Sequence, residues 1–302
     1  MRTFAEVTAL VGSRRTLARL LRDSRTRIAI AVLLIVALSA VFAPLLAPYD
    51  PTAQLDIVRL PSQPPSVAHP LGTDPFSRDV LSRLLYGSRI SLAVGLGAVL
   101  LAMSFGIIVG AVAGFVGGAV DAVLMRFVDA ALSIPRLLVL ILVASLWGSL
   151  GLLPLTLLMA GTGWFAVSRL VRAETLALRE REFIVAARAL GASPARILVR
   201  HVLPNVAAPA LVAATLGIAN VILLEAGLSY LGIGVRPPTA SWGAIIQDGA
   251  ERVSDLWWLT LFPGLAILVT VFACNALGDA LRDAFDPRQL PRGTDATFVK
   301  DA

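Results

Sequence analysis

The sequence predicts an all-α integral membrane protein with six transmembrane helices. Its 302 residues are 57% hydrophobic and 15% charged, and the mean hydropathy is +0.81. One soluble core cannot bury that much apolar surface. Since hydrocarbon about 30 Å thick requires roughly 20 apolar residues per helix, the runs long enough to cross begin at Ile28, Ser91, Leu137, Leu150, Asn205 and Leu256.

The positions of the arginines predict the orientation. Arginines cluster before the first apolar run and again between the fourth and fifth runs, whereas residues 49–86 carry balanced charges. The positive-inside rule therefore puts the N-terminus and the loop around residues 170–204 in the cytoplasm and the 49–86 loop outside. Six crossings return the C-terminus to the cytoplasm. The two arginine clusters are Arg2, Arg14, Arg15, Arg19, Arg22, Arg25 and Arg27, and Arg169, Arg172, Arg179, Arg181, Arg188, Arg196 and Arg200.

These boundaries divide the chain into three parts. Residues 1–86 hold the cytoplasmic N-terminus, the first helix and the external loop. Residues 87–285 form the transmembrane domain with a cytoplasmic loop at 179–204, and residues 286–302 form a cytoplasmic tail. The first run, Ile28–Ala47, is too long for a typical signal-peptide core, so we expect it to be a retained helix.

Small residues recur at every fourth position of the second run: Ala98, Ala102, Gly106, Gly110, Gly114 and Gly118. Such a face lets another helix approach closely in lipid. We expect packing within the subunit's own bundle, and contact with a partner subunit is the alternative. The Gly117-Gly118 pair predicts the end of the helix.

Ionisable residues near or within the apolar runs are costly in lipid unless they are paired or hydrated. They are Asp121, Arg126, Asp129, Arg136 and Glu225. Arg126 and Asp129 are spaced for a pair within one helix, with a proton relay as the alternative. Glu225 has no partner nearby in sequence, which leaves open a pathway-facing role or an interhelical polar contact. Neither a metal site nor a disulfide framework is expected, because the chain has one cysteine and two histidines.

The cytoplasmic segment at 179–205 predicts two short helices joined by a tight turn. Phe183, Ile184, Ala187 and Leu190 fall on one helical face. Gly191 suits a left-handed helix end, and Ser193-Pro194 suits a capped helix start. Such a knob fits a groove of another protein, while an interfacial helix on lipid is the alternative.

This segment resembles the EAA loop of ABC importer permeases, in which it forms the coupling helix that binds the ATPase subunit. The resemblance rests on Ala186-Ala187, Gly191 and Leu203-Pro204 at the family's spacing. Val185 and His201 depart from the pattern, and Val185 removes the usual glutamate as a polar anchor. By this resemblance, the coupling residues are Ala186, Ala187, Arg188, Gly191, Ala192, Ser193, Leu203 and Pro204.

Further motifs are similar to the C-type subunit of dipeptide and oligopeptide permeases. They lie at 69–74 (HPLGTD), 78–83 (RDVLSR), 225–232 (EAGLSYLG), 237–243 (PPTASWG) and 275–288 (NALGDALRDAFDPR). Ser77 replaces an expected glycine. The resemblance implies a type I ABC importer permease fold in the bacterial inner membrane, forming half of a peptide pathway.

The same resemblance implies the partners. They are a homologous B-type permease subunit, two ATPases that carry ATP and Mg²⁺, and an extracytoplasmic substrate-binding protein. We expect no cofactor on this chain and no nucleic-acid partner. The only lysine, Lys300, cannot serve a phosphate-binding loop. The alternatives are a secondary transporter that uses Asp129 and Glu225, and a membrane-embedded enzyme, for which neither histidine has a suitable neighbour.

Overall fold

A computed structural model describes residues 23–148 and 150–285, and in these ranges the chain is helical, with no strand. The predicted arginine cluster at positions 2–22 and the predicted tail at 286–302 lie outside the described residues. The helices are α1 Ser24–Val41, α2 Ala43–Leu46, α3 Val80–Val116, α4 Gly118–Leu132, α5 Arg136–Trp147, α6 Leu152–Arg179, α7 Glu182–Ala189, α8 Pro194–Ile197, α9 Leu203–Tyr230, α10 Trp242–Gly249 and α11 Trp257–Phe285.

The membrane crossings agree in part with the sequence. In the described ranges, α1, α3, α6, the continuous Pro194–Tyr230 stretch and α11 are each long and apolar enough to cross a bilayer. The crossing expected from Leu137 is instead a pair of helices, α4 and α5, bent by 77°. Pro135 lies at this break, where its ring disfavours helical geometry in the preceding residue. Counting the bent pair as one span gives six.

Helices α3 and α6 pack closely along the small-residue face. A β-carbon at Gly106 would lie 2.6 Å from Cβ of Val167, and one at Gly114 would lie 2.8 Å from Cβ of Thr175. At Gly110 a β-carbon would collide with the backbone carbonyl of Ser168. These glycines therefore allow α3 and α6 to pack closely within the subunit's own bundle, as predicted.

Gly118 does not belong to this face, so its assignment there was wrong. Helix α3 ends with Gly117 at φ +71°, and Gly118 at φ +57° starts α4. A β-carbon on Gly118 would meet no atom within 4 Å. The change of backbone direction at Gly117 turns Gly118 away from α6, although the four-residue spacing continues through it.

The largest apolar core lies between α3, α5, α6 and α9, with Val94, Leu140, Leu155 and Leu228 among its buried members. Helix α3 runs through this core and is about 55 Å long, from 37 residues at 1.5 Å per residue. At the start of α3 lie the loop of residues 50–79 and helix α10, which we call the α10 end. At the other end lie α7 and α8, with the π-helical turn Leu198–Val202.

Candidate functional site

The segment of residues 182–204, called here the α7–α8 segment, is a helix–turn–helix held between two long helices. Helix α6 ends at Arg179, and α7 begins at Glu182. Gly191 has φ +79°, a conformation that glycine adopts without steric cost. The backbone N–H of Arg196 donates to Ser193 Oγ at 3.4 Å, and Pro194 occupies the first turn of α8. The predicted turn and cap are both present.

The inner face of this segment is buried against the bundle. Ile184, Ile197 and Val202 are each at most 1% exposed, and they pack in one cluster with Ala111 of α3 and Val171 of α6. This cluster fixes the segment to the helices that enter and leave it and to α3. A displacement of the segment would therefore be transmitted to α3 and α6, because close-packed interiors transmit strain.

The outer face of the segment is exposed and carries several apolar side chains. Val185 is 54% exposed, Leu190 is 88% and Val199 is 60%. The prediction that Phe183 and Leu190 share the packing face was wrong, because both are exposed and only Ile184 and Ala187 are buried. Helix α7 is just two turns long, and Leu190 lies at its C-terminal cap, where the helical periodicity no longer applies.

The other predicted coupling residues divide between the two faces. Ala186, Arg188, Gly191 and Ser193 are exposed, Ala192 and Leu203 are half-buried, and Ala187 and Pro204 are buried. His201, one of the two departures from the family pattern, is also buried. Its ring lies 6.5 Å from that of Phe183, so it packs under α7 and is not part of the outer face.

Glu225 lies at the centre of a buried polar cluster that joins three parts of the fold. Its carboxylate accepts hydrogen bonds from Ser91 of α3 at 2.8 Å and from Ser229 of α9 at 2.7 Å. Ser241, which caps α10, donates to Ser229 Oγ at 3.3 Å. The side chain is 0% exposed, so among the described residues Glu225 makes an interhelical polar contact.

Asp129 does not form the predicted pair with Arg126. Its nearest cation is Arg169 of α6, at 3.9 Å, and both side chains are largely exposed. A close interhelical ion pair forms instead between Asp121 and Arg172, at 2.5 Å and 2.6 Å. Helix α4 packs against α6, so the two aspartates of α4 pair with arginines of α6 and not with Arg126 of their own helix.

The α10 end contains a buried ion cluster that the sequence did not reveal. Asp74 is 0% exposed and binds Arg78 Nε at 2.6 Å and also Arg83 Nη1. Asp248 of α10 accepts from the same two arginines, at 2.9 Å and 2.6 Å. The i,i+4 spacing of Asp74 and Arg78 was a visible signal, whereas Asp248 lies 170 residues beyond Arg78.

A second buried contact lies beside this cluster. His69 Nδ1 lies 3.0 Å from a carboxylate oxygen of Asp79, and the other oxygen of Asp79 accepts from the backbone N–H of Ser82 at 2.8 Å. Asp79 thereby caps α3 and connects it to the 50–79 loop. Within the described ranges, no group of three or more His, Cys, Asp or Glu side chains could hold a metal ion.

Comparison with known proteins gives two family matches. The family described as "Binding-protein-dependent transport system inner membrane component" matches residues 106–290, which include the whole α7–α8 segment. The N-terminal transmembrane domain of oligopeptide transport permease C matches residues 13–65.

Individual relatives are similar over most of their length. A peptide transport system permease protein of Brucella abortus is 43% identical over 92% of this chain and 93% of its own. The oligopeptide transport system permease protein OppC of Mycobacterium bovis is 42% identical over 93% of this chain and 98% of its own. A peptide permease protein of Brucella suis is 44% identical over 81% of each chain.

The helix–turn–helix, the membrane spans and these matches lead to one assignment. The chain is a multi-pass protein of the inner membrane and belongs to the family of inner membrane components of binding-protein-dependent transport systems.

Proposed function

We propose that this permease forms half of the translocation path of an ATP-driven importer for peptides. The names of the relatives supply the substrate class. The observation that carries the proposal is the α7–α8 segment: its inner face is packed against the bundle, and its outer face presents exposed apolar side chains. An amphipathic helix with an unfilled apolar face fits a groove on another protein.

The orientation follows from the charges. Arg188, Arg196 and Arg200 are exposed on or beside the outer face, which favours the cytoplasmic side under the positive-inside rule. With six spans, both termini are then cytoplasmic and the α10 end faces outward. ATP is found in the cytoplasm, so the ATPase subunits act on that side of the membrane. A cytoplasmic α7–α8 segment is therefore within their reach.

The proposed assembly contains this chain, a homologous B-type permease, two ATPases with ATP and Mg²⁺, and an external substrate-binding protein. Closure of the ATPases would move the α7–α8 segment. Because that segment is packed against Ala111 and Val171, the movement would pass into α3 and α6 and reorient the path between outward and inward access.

The secondary-transporter alternative gains no support from the two carboxylates on which it depends. Glu225 is fully buried, and serine hydroxyls satisfy both of its oxygens. Asp129 is exposed beside Arg169.

The first test is co-purification of the ATPases with a variant of the outer face. Leu190→Asp replaces a side chain that is 88% exposed, and Val67→Asp, the control, replaces a fully exposed apolar side chain in the 50–79 loop. We expect the Leu190 variant to lose the ATPases and the Val67 variant to retain them. Equal retention of ATPases by both variants would refute docking at this face.

The second test identifies the substrate. The binding protein that co-purifies with the complex is denatured, and its released ligand is analysed by mass spectrometry. A di- or oligopeptide is the expected ligand. A metal chelate or a sugar would leave the importer assignment in place and overturn the peptide assignment.

A further inference from the structure

A cavity of about 50 Å³ lies within the membrane-spanning bundle, between α3, α5, α6 and α9. Its walls are mostly apolar or small, with Ala102, Met103, Met159 and Gly163 among the residues that line it. Two lining residues carry hydrogen-bonding side chains, Arg136 and Asn220. Small-ligand sites share this composition of apolar walls with a few polar groups but are several times larger, so this cavity has room for one small group of a ligand.

Arg136 is only partly satisfied by the protein. Its Nε donates to Thr162 Oγ1 at 3.1 Å, and its Nη2 donates to the carbonyl of Met159 at 2.8 Å. A guanidinium has five N–H donors, so three remain. Within the described ranges no carboxylate lies within 4.0 Å of Arg136, whereas Arg78, Arg83 and Arg172 each form such a pair.

Fold stability does not explain this arginine. A cation at membrane depth is costly unless it is paired or hydrated. Arg136 is also the first residue of α5, and helix dipoles favour cations at the opposite terminus. A guanidinium held by two neutral acceptors, with donors left over beside a cavity, is suited to a planar anion that accepts two parallel hydrogen bonds.

We propose that Arg136, with the amide of Asn220, binds the terminal carboxylate of a peptide in transit. The inference rests on the proposed function, because it assigns a contact to the substrate of the same path. Asn220 lines the cavity and is exposed on α9, so the cavity lies next to the surface of this subunit. A volume of about 50 Å³ admits the carboxylate group and not the side chains of the peptide, and the terminal carboxylate is common to all free peptides.

The experiment uses the complete importer, with its binding protein, in proteoliposomes. Uptake of a tripeptide with a free terminal carboxylate is compared with uptake of its terminal amide. The variants are Arg136→Gln and Arg126→Gln, which remove the same charge, and Arg126 is an exposed residue of α4. The same binding protein serves every complex. Its own preference for the acid or the amide therefore cancels when uptake by a variant is divided by uptake by the wild type.

We expect Arg136→Gln to lower uptake of the free acid by about tenfold or more, since hydrogen bonds to charged groups contribute roughly 1.5–3 kcal/mol. Uptake of the amide should stay unchanged in this variant. Arg126→Gln should leave both peptides at wild-type uptake. Equal losses for acid and amide would show a structural contact or a carboxylate from the partner subunit, and no loss would show no contact, so either result overturns the proposal. If the wild-type importer carries no peptide, the proposed function itself has failed.

A charge-rescue measurement covers the case in which the amide is not imported. Arg136→Cys is treated with a cationic or a neutral methanethiosulfonate reagent, and the wild-type chain, whose only cysteine is the buried Cys274, is the control. Restored uptake of the free acid with the cationic reagent alone is expected. Equal effects of the two reagents would contradict the proposal.

Discussion

The two ends of the bundle are stabilised by different chemistry. At the α10 end, Asp74 and Asp248 neutralise Arg78 and Arg83 inside the protein, and the charges find partners within the chain. At the other end, the α7–α8 segment is fixed by apolar contacts beneath it and leaves apolar side chains such as Leu190 exposed above it.

The difference lies in how each end is held. At the α10 end, a buried ion cluster connects the 50–79 loop to α10 and α3 within this chain. At the α7–α8 end, apolar contacts hold the segment from beneath. In the proposed function, the ATPase covers the apolar side chains that remain exposed there.

Breaking the ion cluster should destabilise the fold more than the other substitutions. Asp74→Ala leaves two buried arginines with only Asp248 as a partner, and removing one member of a buried ion group costs about 3–5 kcal/mol. Thermal unfolding of the purified complex should therefore shift to clearly lower temperature.

The control for this variant is Asp50→Asn in the same loop. Asp50 is exposed and bonds only to Thr52 through its side chain, so the control should unfold like the wild type. Matching unfolding temperatures for Asp74→Ala and wild type would show that the cluster does not stabilise the α10 end.

A smaller effect is expected along the α3–α6 contact that connects the two ends. Gly110→Ala places a methyl group against the carbonyl of Ser168, and overpacking of this kind costs about 1–3 kcal/mol. Gly161→Ala in α6 is the matched change, because a β-carbon there meets nothing within 4 Å and alanine favours a helix by about 1 kcal/mol. The unfolding temperature should fall for Gly110→Ala and rise for Gly161→Ala. A rise for Gly110→Ala would contradict the close approach of α3 and α6.

Much of this architecture was predictable because its causes are local in sequence. Long apolar runs predict the membrane helices, and Gly191 with Ser193-Pro194 predicts the turn of the α7–α8 segment. The same local reasoning failed at Gly118, where a positive φ at Gly117 had already ended the helix. It also failed for α4, whose charged residues lower its apolarity and concealed its part in the bent pair with α5.

Contacts between distant parts of the chain could not be predicted. Ser91 and Glu225 are 134 residues apart, and Arg83 and Asp248 are 165 residues apart. In the sequence, each of these residues looks like an unpaired polar group in an apolar region. Only the packing of α3 against α9 and α10 brings them together, and one sequence contains no signal for that packing.

In the proposed function, the α7–α8 segment couples ATP hydrolysis to transport, and this coupling depends on the turn at Gly191. A β-branched residue at φ +79° is strained by at least about 1–2 kcal/mol, which changes the population of the native turn by roughly 5- to 30-fold. Asparagine tolerates this conformation. The measurement is peptide import per ATP hydrolysed by the reconstituted complex, with membrane insertion checked for each variant.

We expect Gly191→Val to insert normally and to hydrolyse ATP while importing little peptide, and Gly191→Asn to remain close to wild type. Wild-type import per ATP by Gly191→Val would contradict the coupling role of the α7–α8 segment.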